Sequence, residues 1–303
     1  MRTLREQGRS ARGVDLLPSA FTDRVGSIVD RRFVADCMRG VDAVLHVATL
    51  HKPHVATHAR QAFIDVNITG TLNLLEEAAR VGVGAFVFTS TTSVFGDALR
   101  PAPDAPSTWI TEDVAPLAKN IYGATKTAAE DLCRLFHRNH GVPCLVLRTS
   151  RFFPEDDDEA LRRNAYSREN LQVCELLYRR VDLADVVDAE LLAIDKADDA
   201  GFDRFIISAS TPFAREDREL LRSAPCDALD QYIPNWRPVF EDRGWKMLGD
   251  IERVYDNHRA RDVLGWRPRY DFAGAVEDLA RGRDHRSPLA RAVGVKGYHP
   301  RAH

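Results

Sequence analysis

Tyr122 and Lys126 stand four residues apart in NIYGATK, so on a helix their side chains share one face. A phenol held near an ammonium has its anion stabilised, which lowers its pKa toward neutrality and makes it a usable proton donor and acceptor. The stretch TSTTSVFGD, residues 89–97, follows an apolar run and gathers hydroxyls where that run ends. A hydroxyl facing the phenol would hold a substrate oxygen. Taken singly, each feature is common: Y-x-x-x-K arises by chance on helices, and Ser/Thr clusters are ordinary at strand ends. Their joint presence is more specific. HKPHVATH, residues 51–58, offers His51, His54 and His58, and the last two share the i, i+4 spacing of metal ligands. Pro53 interrupts the region and no Cys or carboxylate completes a set, so no metal is predicted, and the segment reads as a loop.

The elements that must position these groups are written in hydrophobic periodicity. DAVLHVAT (42–49), AFVFTST (85–91) and PCLVLRTS (143–150) are near-continuous apolar runs, and between them residues 60–82 and 121–141 place apolar residues at helical spacing and finish on glycine. Strand alternating with helix predicts a parallel sheet covered on both faces, an α/β doubly wound fold with its ligand at the carboxyl ends of the strands. Beyond about residue 150 the pattern loosens into a strand and helix over 179–197, a strand at RFIIS (204–208), and a helix end followed by an extended segment in VLGWRPRYDF (263–272). This predicts a nucleotide-binding part over 1–150 and a small substrate-binding part over 151–303 that is interleaved with the last strands. The acidic run EDDDE (155–159) reads as solvated surface, and the tail from Asp284 as partly ordered at best.

Composition narrows the class. The chain has 303 residues, 44% of them apolar, and 42 basic against 45 acidic residues give a net charge of −3. Such a balance provides no basic footprint for nucleic acid, and no run has the length needed to span a bilayer. The N-terminus carries Arg2, Arg5, Arg9 and Arg12 without the apolar stretch of a secretory signal, so the expected location is cytoplasmic. Five scattered cysteines with no C-x-x-C spacing suit reduced thiols, most of them core fillers.

Residues spread along nearly the whole chain resemble the extended short-chain dehydrogenases/reductases of the NAD-dependent epimerase/dehydratase type. They are GVDLLPS (13–19), RGVDAVLHVAT (39–49), DVNITGTLNLLEEA (65–78), FVFTSTTSVFGD (86–97), YGATK (122–126), LVLRTSRFF (145–153), RVDLADVVDA (180–189) and LGWRPRY (264–270). The resemblance implies a Rossmann-like fold in which Tyr122 is the catalytic acid/base. Lys126 would lower the Tyr122 pKa and bond the nicotinamide ribose, and Thr91, five residues before Gly96, would hold the reacting oxygen. It further implies NAD as cofactor. Asp15 would bond the adenosine ribose diol and so disfavour a 2′-phosphate, Ser27 and Ile28 would contact adenine, and Val47, Ala48 and Thr49 would line the cofactor. A homodimer through the helices at 60–82 and 121–139 follows from the same resemblance.

A complete member of that family opens with a strand, a glycine-rich turn and a helix, and a whole βαβ unit takes about 30 residues or more. Here GVDLLPS comes almost at once, and TLREQG (3–8) resembles the tail of the missing helix. The expectation is a start downstream of the natural one, weak NAD binding by the chain as it stands, and a gap in the sheet that lowers stability. The expected reaction is hydride exchange at a hydroxyl or carbonyl of a nucleotide-sugar or of a smaller sugar. Elimination is the least expected outcome, because Thr92 and Ser93 occupy the place of the Asp-Glu pair that the dehydratases of this family use. His51, Thr92 and Asn170 are candidate substrate contacts, with Tyr166 and Arg180 beside them. The alternative from another class is a protein that keeps the fold and uses its cleft to sense a ligand.

Overall fold

A computed structural model of the protein describes residues 1–157 and 159–295. In chain order its strands are β1 (Val14–Asp15), β2 (Arg24–Val25), β3 (Ala43–His46), β4 (Ala85–Thr91), β5 (Thr108–Ile110), β6 (Cys144–Thr149), β7 (Phe202–Ile207) and β8 (Arg253–Tyr255). The α-helices used below are α1 (Arg2–Glu6), α2 (Arg31–Cys37), α3 (Arg60–Phe63), α4 (Gly70–Val81), α5 (Ile121–His140), α6 (Ala160–Ala165), α7 (Arg168–Glu175) and α8 (Leu183–Ala200). A π-helical stretch, Ile64–Thr69, joins α3 to α4.

Four strands form a sheet in the order β3-β4-β6-β7, and β3 and β4 run parallel with Val44 opposite Phe86 and His46 opposite Phe88. β1 and β2 make a separate parallel pair. The long helices end where the sequence places glycine. Gly82 after α4 and Gly141 after α5 adopt φ of 72° and 69°, the left-handed cap that a side chain disfavours.

The chain divides into two compact units: residues 1–96, 118–147 and 190–204 form the first, and 97–117, 148–189 and 205–303 the second. The core of the first unit joins Phe86, Phe88, Cys144 and Val146 from the strands to Leu75, Ala78, Ala129 and Cys133 from α4 and α5. The second has its own core, in which Leu177, Leu229, Phe240, Val254 and Phe272 are buried. Within it β5 pairs in parallel with β8, Thr108 opposite Arg253. The Asp185 carboxylate accepts from the backbone N–H groups of Arg269 and Tyr270, while the Asp185 carbonyl accepts from Trp266 Nε1 at 2.9 Å. Residues 264–270 are thereby pinned to the start of α8.

Two expectations about this region are corrected. Asp157, from the acidic run, is buried and pairs with Arg151 at 2.8 Å and Arg179 at 2.7 Å; one arginine lies six residues before it and the other 22 after, and together they supply the countercharge that the run itself lacks. The C-terminal stretch is ordered as far as it is described. Ser287 caps the helix Pro288–Val293, its own N–H donates to Asp182, and His285 is buried. Residues 296–303 lie outside the described residues. Cys37, Cys133, Cys144 and Cys174 are buried free thiols, as expected of core fillers, and Cys226 is half-buried.

Candidate active site

β4 is buried except for the half-buried Thr89 and delivers Thr91 at its carboxyl end. There the chain turns at once into a short 3-10 helix, Thr92–Val94, and Thr91 Oγ1 accepts from Ser93 N at 3.1 Å. α5 starts beside this turn. Its N-cap Asn120 accepts from Gly123 N at 3.0 Å, which settles the first turn and places Tyr122 on it. A Cβ on Gly123 would lie 2.7 Å from the Ser93 carbonyl oxygen, so only glycine lets the helix come this close. The closeness brings the buried Tyr122 hydroxyl near that of Thr91, which favours the phenolate.

Lys126, one turn along α5, is almost wholly buried. Its Nζ donates to the Thr89 carbonyl at 2.6 Å and sits 3.9 Å from the centroid of the Phe88 ring. Burial lowers its pKa to about 7, against the pull of Glu130, Cys133 and Glu190. Glu190, on α8, is raised by burial to about 7, although its hydrogen bond from Thr89 and the Lys126 charge draw it down. Tyr122 is pushed up to about 12 by burial, only partly offset by Thr91. This differs from the expectation that Lys126 lowers the phenol: here the ammonium is held on the β4 backbone and desolvation governs the tyrosine.

A second set of polar contacts ties the neighbouring loop to this helix. Asn67 lies in the π-helical stretch, a geometry often found at functional sites. Its Oδ1 accepts from Thr49 Oγ1 at 2.9 Å and Leu50 N at 2.8 Å, while Nδ2 donates to the Leu50 carbonyl and to Thr125 Oγ1. One amide thus couples the end of β3 to α5. Thr71 spends its proton on the Asn67 carbonyl, so His46 Nε2, 2.8 Å from Thr71 Oγ1, must carry the proton between them. Burial, with Lys126 nearby, lowers His46 to about 3 and keeps it neutral.

The expected cofactor residues are placed as follows. Asp15 is exposed at the carboxyl end of β1, one oxygen accepting from Leu17 N. Val47 and Ala48 are exposed just past β3, Val47 to 55%, which is unusual for a valine beside a core strand. These positions fit an adenosine ribose and an apolar lining, and Tyr122 and Lys126 fit the nicotinamide end. Ser27 accepts from Val29 N, and Ile28 is half-buried, packing one side against the core of its own unit.

Of the expected substrate contacts, Thr92 is buried beside Thr91. The His51 ring packs edge-on against His54, 4.5 Å between centroids, and His51 N donates to His54 Nδ1. Asn170 is used differently from the expectation. It is buried, its amide donates to the Lys246 carbonyl at 2.9 Å and accepts from Lys246 N at 3.0 Å, and it serves as a strut. Arg180 is likewise committed, to Glu175 and the Phe153 carbonyl. Tyr166 borders a half-open cavity of about 120 Å³ in the second unit, together with Arg151, Arg163, Arg168 and Gln172.

Sequence reasoning passed over Asn67, Glu130 and Glu190. Glu130 was within reach: it follows Lys126 by four residues on one helix face, and it accepts from Ser90 Oγ at 2.5 Å. For Glu190 the signal is an acid beside the buried alanine stripe Ala189, Ala193 and Ala197.

Comparison with known proteins agrees with this geometry. Residues 1–207 match the NAD dependent epimerase/dehydratase family. The chain is 28% identical to a UDP-glucose 4-epimerase of Rhizobium meliloti over 264 residues, 78% of this chain and 75% of that one. It is 29% identical to a dTDP-glucose 4,6-dehydratase of Streptomyces antibioticus, covering 86% of this chain and 76% of that one. Among solved structures, an NAD-bound short-chain dehydrogenase/reductase superfamily protein from Agrobacterium tumefaciens superposes with a TM-score of 0.64 at 24% identity, over 96% of this chain and 92% of that one. A UDP-N-acetylglucosamine 4-epimerase from Bacillus cereus gives 0.62 at 18% identity, over 92% and 91%, and these likenesses establish the Rossmann-like fold. No helix among the described residues is long and apolar enough to cross a membrane. The match over two thirds of its length places this chain in the NAD-dependent epimerase/dehydratase family, an enzyme whose cofactor is NAD.

Proposed function

We propose that this enzyme moves a hydride and a proton at a hydroxyl-bearing carbon of a nucleotide-sugar, as an epimerase or a dehydrogenase. The observation that carries the reading is the buried Tyr122–Thr91 hydroxyl pair, with Lys126 one helical turn away. Thr91 holds the substrate oxygen. Tyr122 takes the proton of that hydroxyl as the carbon gives up its hydride, leaving a ketone, and returns the proton when the ketone is reduced. Bound NAD supplies the hydride acceptor. Asp15, Val47, Ala48 and Thr49 line the cofactor in this reading. A phenol at about 12 is protonated at neutral pH and therefore ready as an acid. Acting as a base it must first lose that proton, and a Lys126 ammonium turned toward the phenol would stabilise the anion that results.

Elimination is disfavoured, because Thr92 and Ser93 offer hydroxyls where a carboxylic acid pair would be needed. The nucleotide-sugar class is supported by the named relatives, and a dimer by the exposed Ile64 and Leu135 on the two helical segments expected to meet a second copy.

The test combines NAD titration by calorimetry with turnover assays on UDP-glucose and related nucleotide-sugars. Tyr122→Phe should lower kcat about a thousandfold while leaving NAD affinity within about threefold. Binding of NAD with no turnover on any nucleotide-sugar would instead favour a ligand-sensing protein.

A further inference from the structure

Lys126 has a buried carboxyl in its surroundings that the reading above does not use. Glu190 Oε1 accepts from Thr89 Oγ1 at 2.5 Å, and Glu190 Oε2 is buried with no hydrogen-bond partner. The carbonyl of the same Thr89 accepts from Lys126 Nζ at 2.6 Å. Thr89 therefore carries the acid on its side chain and the ammonium on its main chain. The other groups around the lysine come from every element packed on it: His46 from β3, the Phe88 ring and Ser90 from β4, and Glu130 and Cys133 from α5. His46 is neutral, and Glu130 already receives the Ser90 hydroxyl. An unused carboxyl oxygen in a dry core is costly unless a donor or a countercharge answers it, and the charge that acts on Glu190 is that of Lys126.

We propose that Glu190 is a positioning residue for Lys126: through Thr89 it draws the ammonium back onto β4, and its free oxygen is the countercharge that keeps the proton on Nζ there until the lysine turns toward Tyr122. The lysine then has two places, one on the Thr89 carbonyl and one at the phenol, and Glu190 sets the balance between them. This rests on Tyr122 and Lys126 acting as the acid–base pair, but its test requires no turnover.

The chain contains six lysines, few enough for each ¹³Cε signal to be followed by NMR through a pH titration of the full chain, with Lys126→Met identifying the wanted signal by its loss. Glu190→Gln removes the countercharge and should lower the Lys126 midpoint by about one pH unit, a tenfold change in its acid constant. Thr89→Val keeps the carbonyl but deletes the hydroxyl that stabilises the Glu190 carboxylate, so it should move the midpoint the same way by less. A midpoint unmoved in both variants overturns the proposal, and if Glu190→Gln fails to fold, Thr89→Val decides alone. A shifted midpoint in a protein that turns over no nucleotide-sugar supports the role of Glu190 and counts against the hydride-transfer reading.

Discussion

Glu175 in the second unit and Glu190 in the first are both buried glutamates, and burial pushes both toward the neutral acid. At Glu175 that push is overcome: Arg179, Arg180 and Arg151 surround the carboxylate and hold it at about 2. Arg179 donates to it at 2.5 Å, Arg180 Nε at 2.8 Å, and Asp157 balances Arg151 and Arg179 from the other side. At Glu190 the push prevails, and the group stands at about 7 with one oxygen unpartnered. The same low-dielectric environment therefore gives a fixed ion network in one place and groups titrating near neutrality in the other. What differs is the number of opposite charges within reach. Titration near the working pH is what proton transfer requires, so the under-compensated cluster is the one suited to chemistry.

The largest effect that separates the two regions is on stability. Glu175→Gln keeps the shape but strips the charge from a site enclosed by three guanidinium groups, leaving buried cations uncompensated. It should cost about 3 kcal/mol, read as a lowered urea midpoint with an unchanged slope. A cost below about 1 kcal/mol would mean that the network is open to water, and the contrast with Glu190 would collapse.

The Glu175 network also marks where sequence reading stops. The run AFVFTST delimits β4 to the residue, and the helical spacing over 121–141 matches α5, because both signals are local: a buried strand is continuously apolar, and a helix stops at its glycine. The placement of Tyr122 and Lys126 on one face of α5, and of a hydroxyl cluster at the end of β4, is legible for the same reason. The pairing of β5 with β8, about 145 residues apart, leaves no such trace in either short segment. Asp157 read as surface because neither partner sits at a helical or strand spacing from it: Arg151 precedes it by six residues, and Arg179 comes from the far side of α7. Lys126 was expected at the phenol, and its docking on the Thr89 carbonyl depends on Glu190, which α8 carries in from 64 residues away.

The second difference is one of pH, and the two glutamates give slopes of opposite sign. Glu175 is depressed from 4.5 to about 2, so the unfolded chain binds the proton first; its contribution is present above about 4.5 and is lost as pH falls toward 2. Glu190 is raised from 4.5 to about 7, so the folded chain holds a proton that the unfolded chain has released; its contribution is present below about 4.5 and is lost as pH rises through 7. Melting temperatures measured from pH 2 to 8 should accordingly show a shallower acid-side slope in Glu175→Gln and a flatter limb between 4.5 and 7 in Glu190→Gln. The two variants flattening the same limb would show that the carboxyls share one environment.

The smallest effect is the sharpest test, because it is the same substitution at the less compensated glutamate. At pH 5 Glu190 is still the neutral acid in the folded protein. Glutamine is nearly isosteric with that acid, its Oε1 can accept the Thr89 hydroxyl as Glu190 Oε1 does, and its NH₂ stands where Oε2 has no partner. Glu190→Gln should therefore change unfolding stability at pH 5 by less than about 1 kcal/mol, against about 3 kcal/mol for Glu175→Gln. A loss of 2 kcal/mol or more at Glu190 would mean that its carboxylate is charged and firmly paired in the native state. Lys126 would then be locked rather than resting on Thr89, and the distinction between a structural ion network and a site kept ready for proton transfer would not hold.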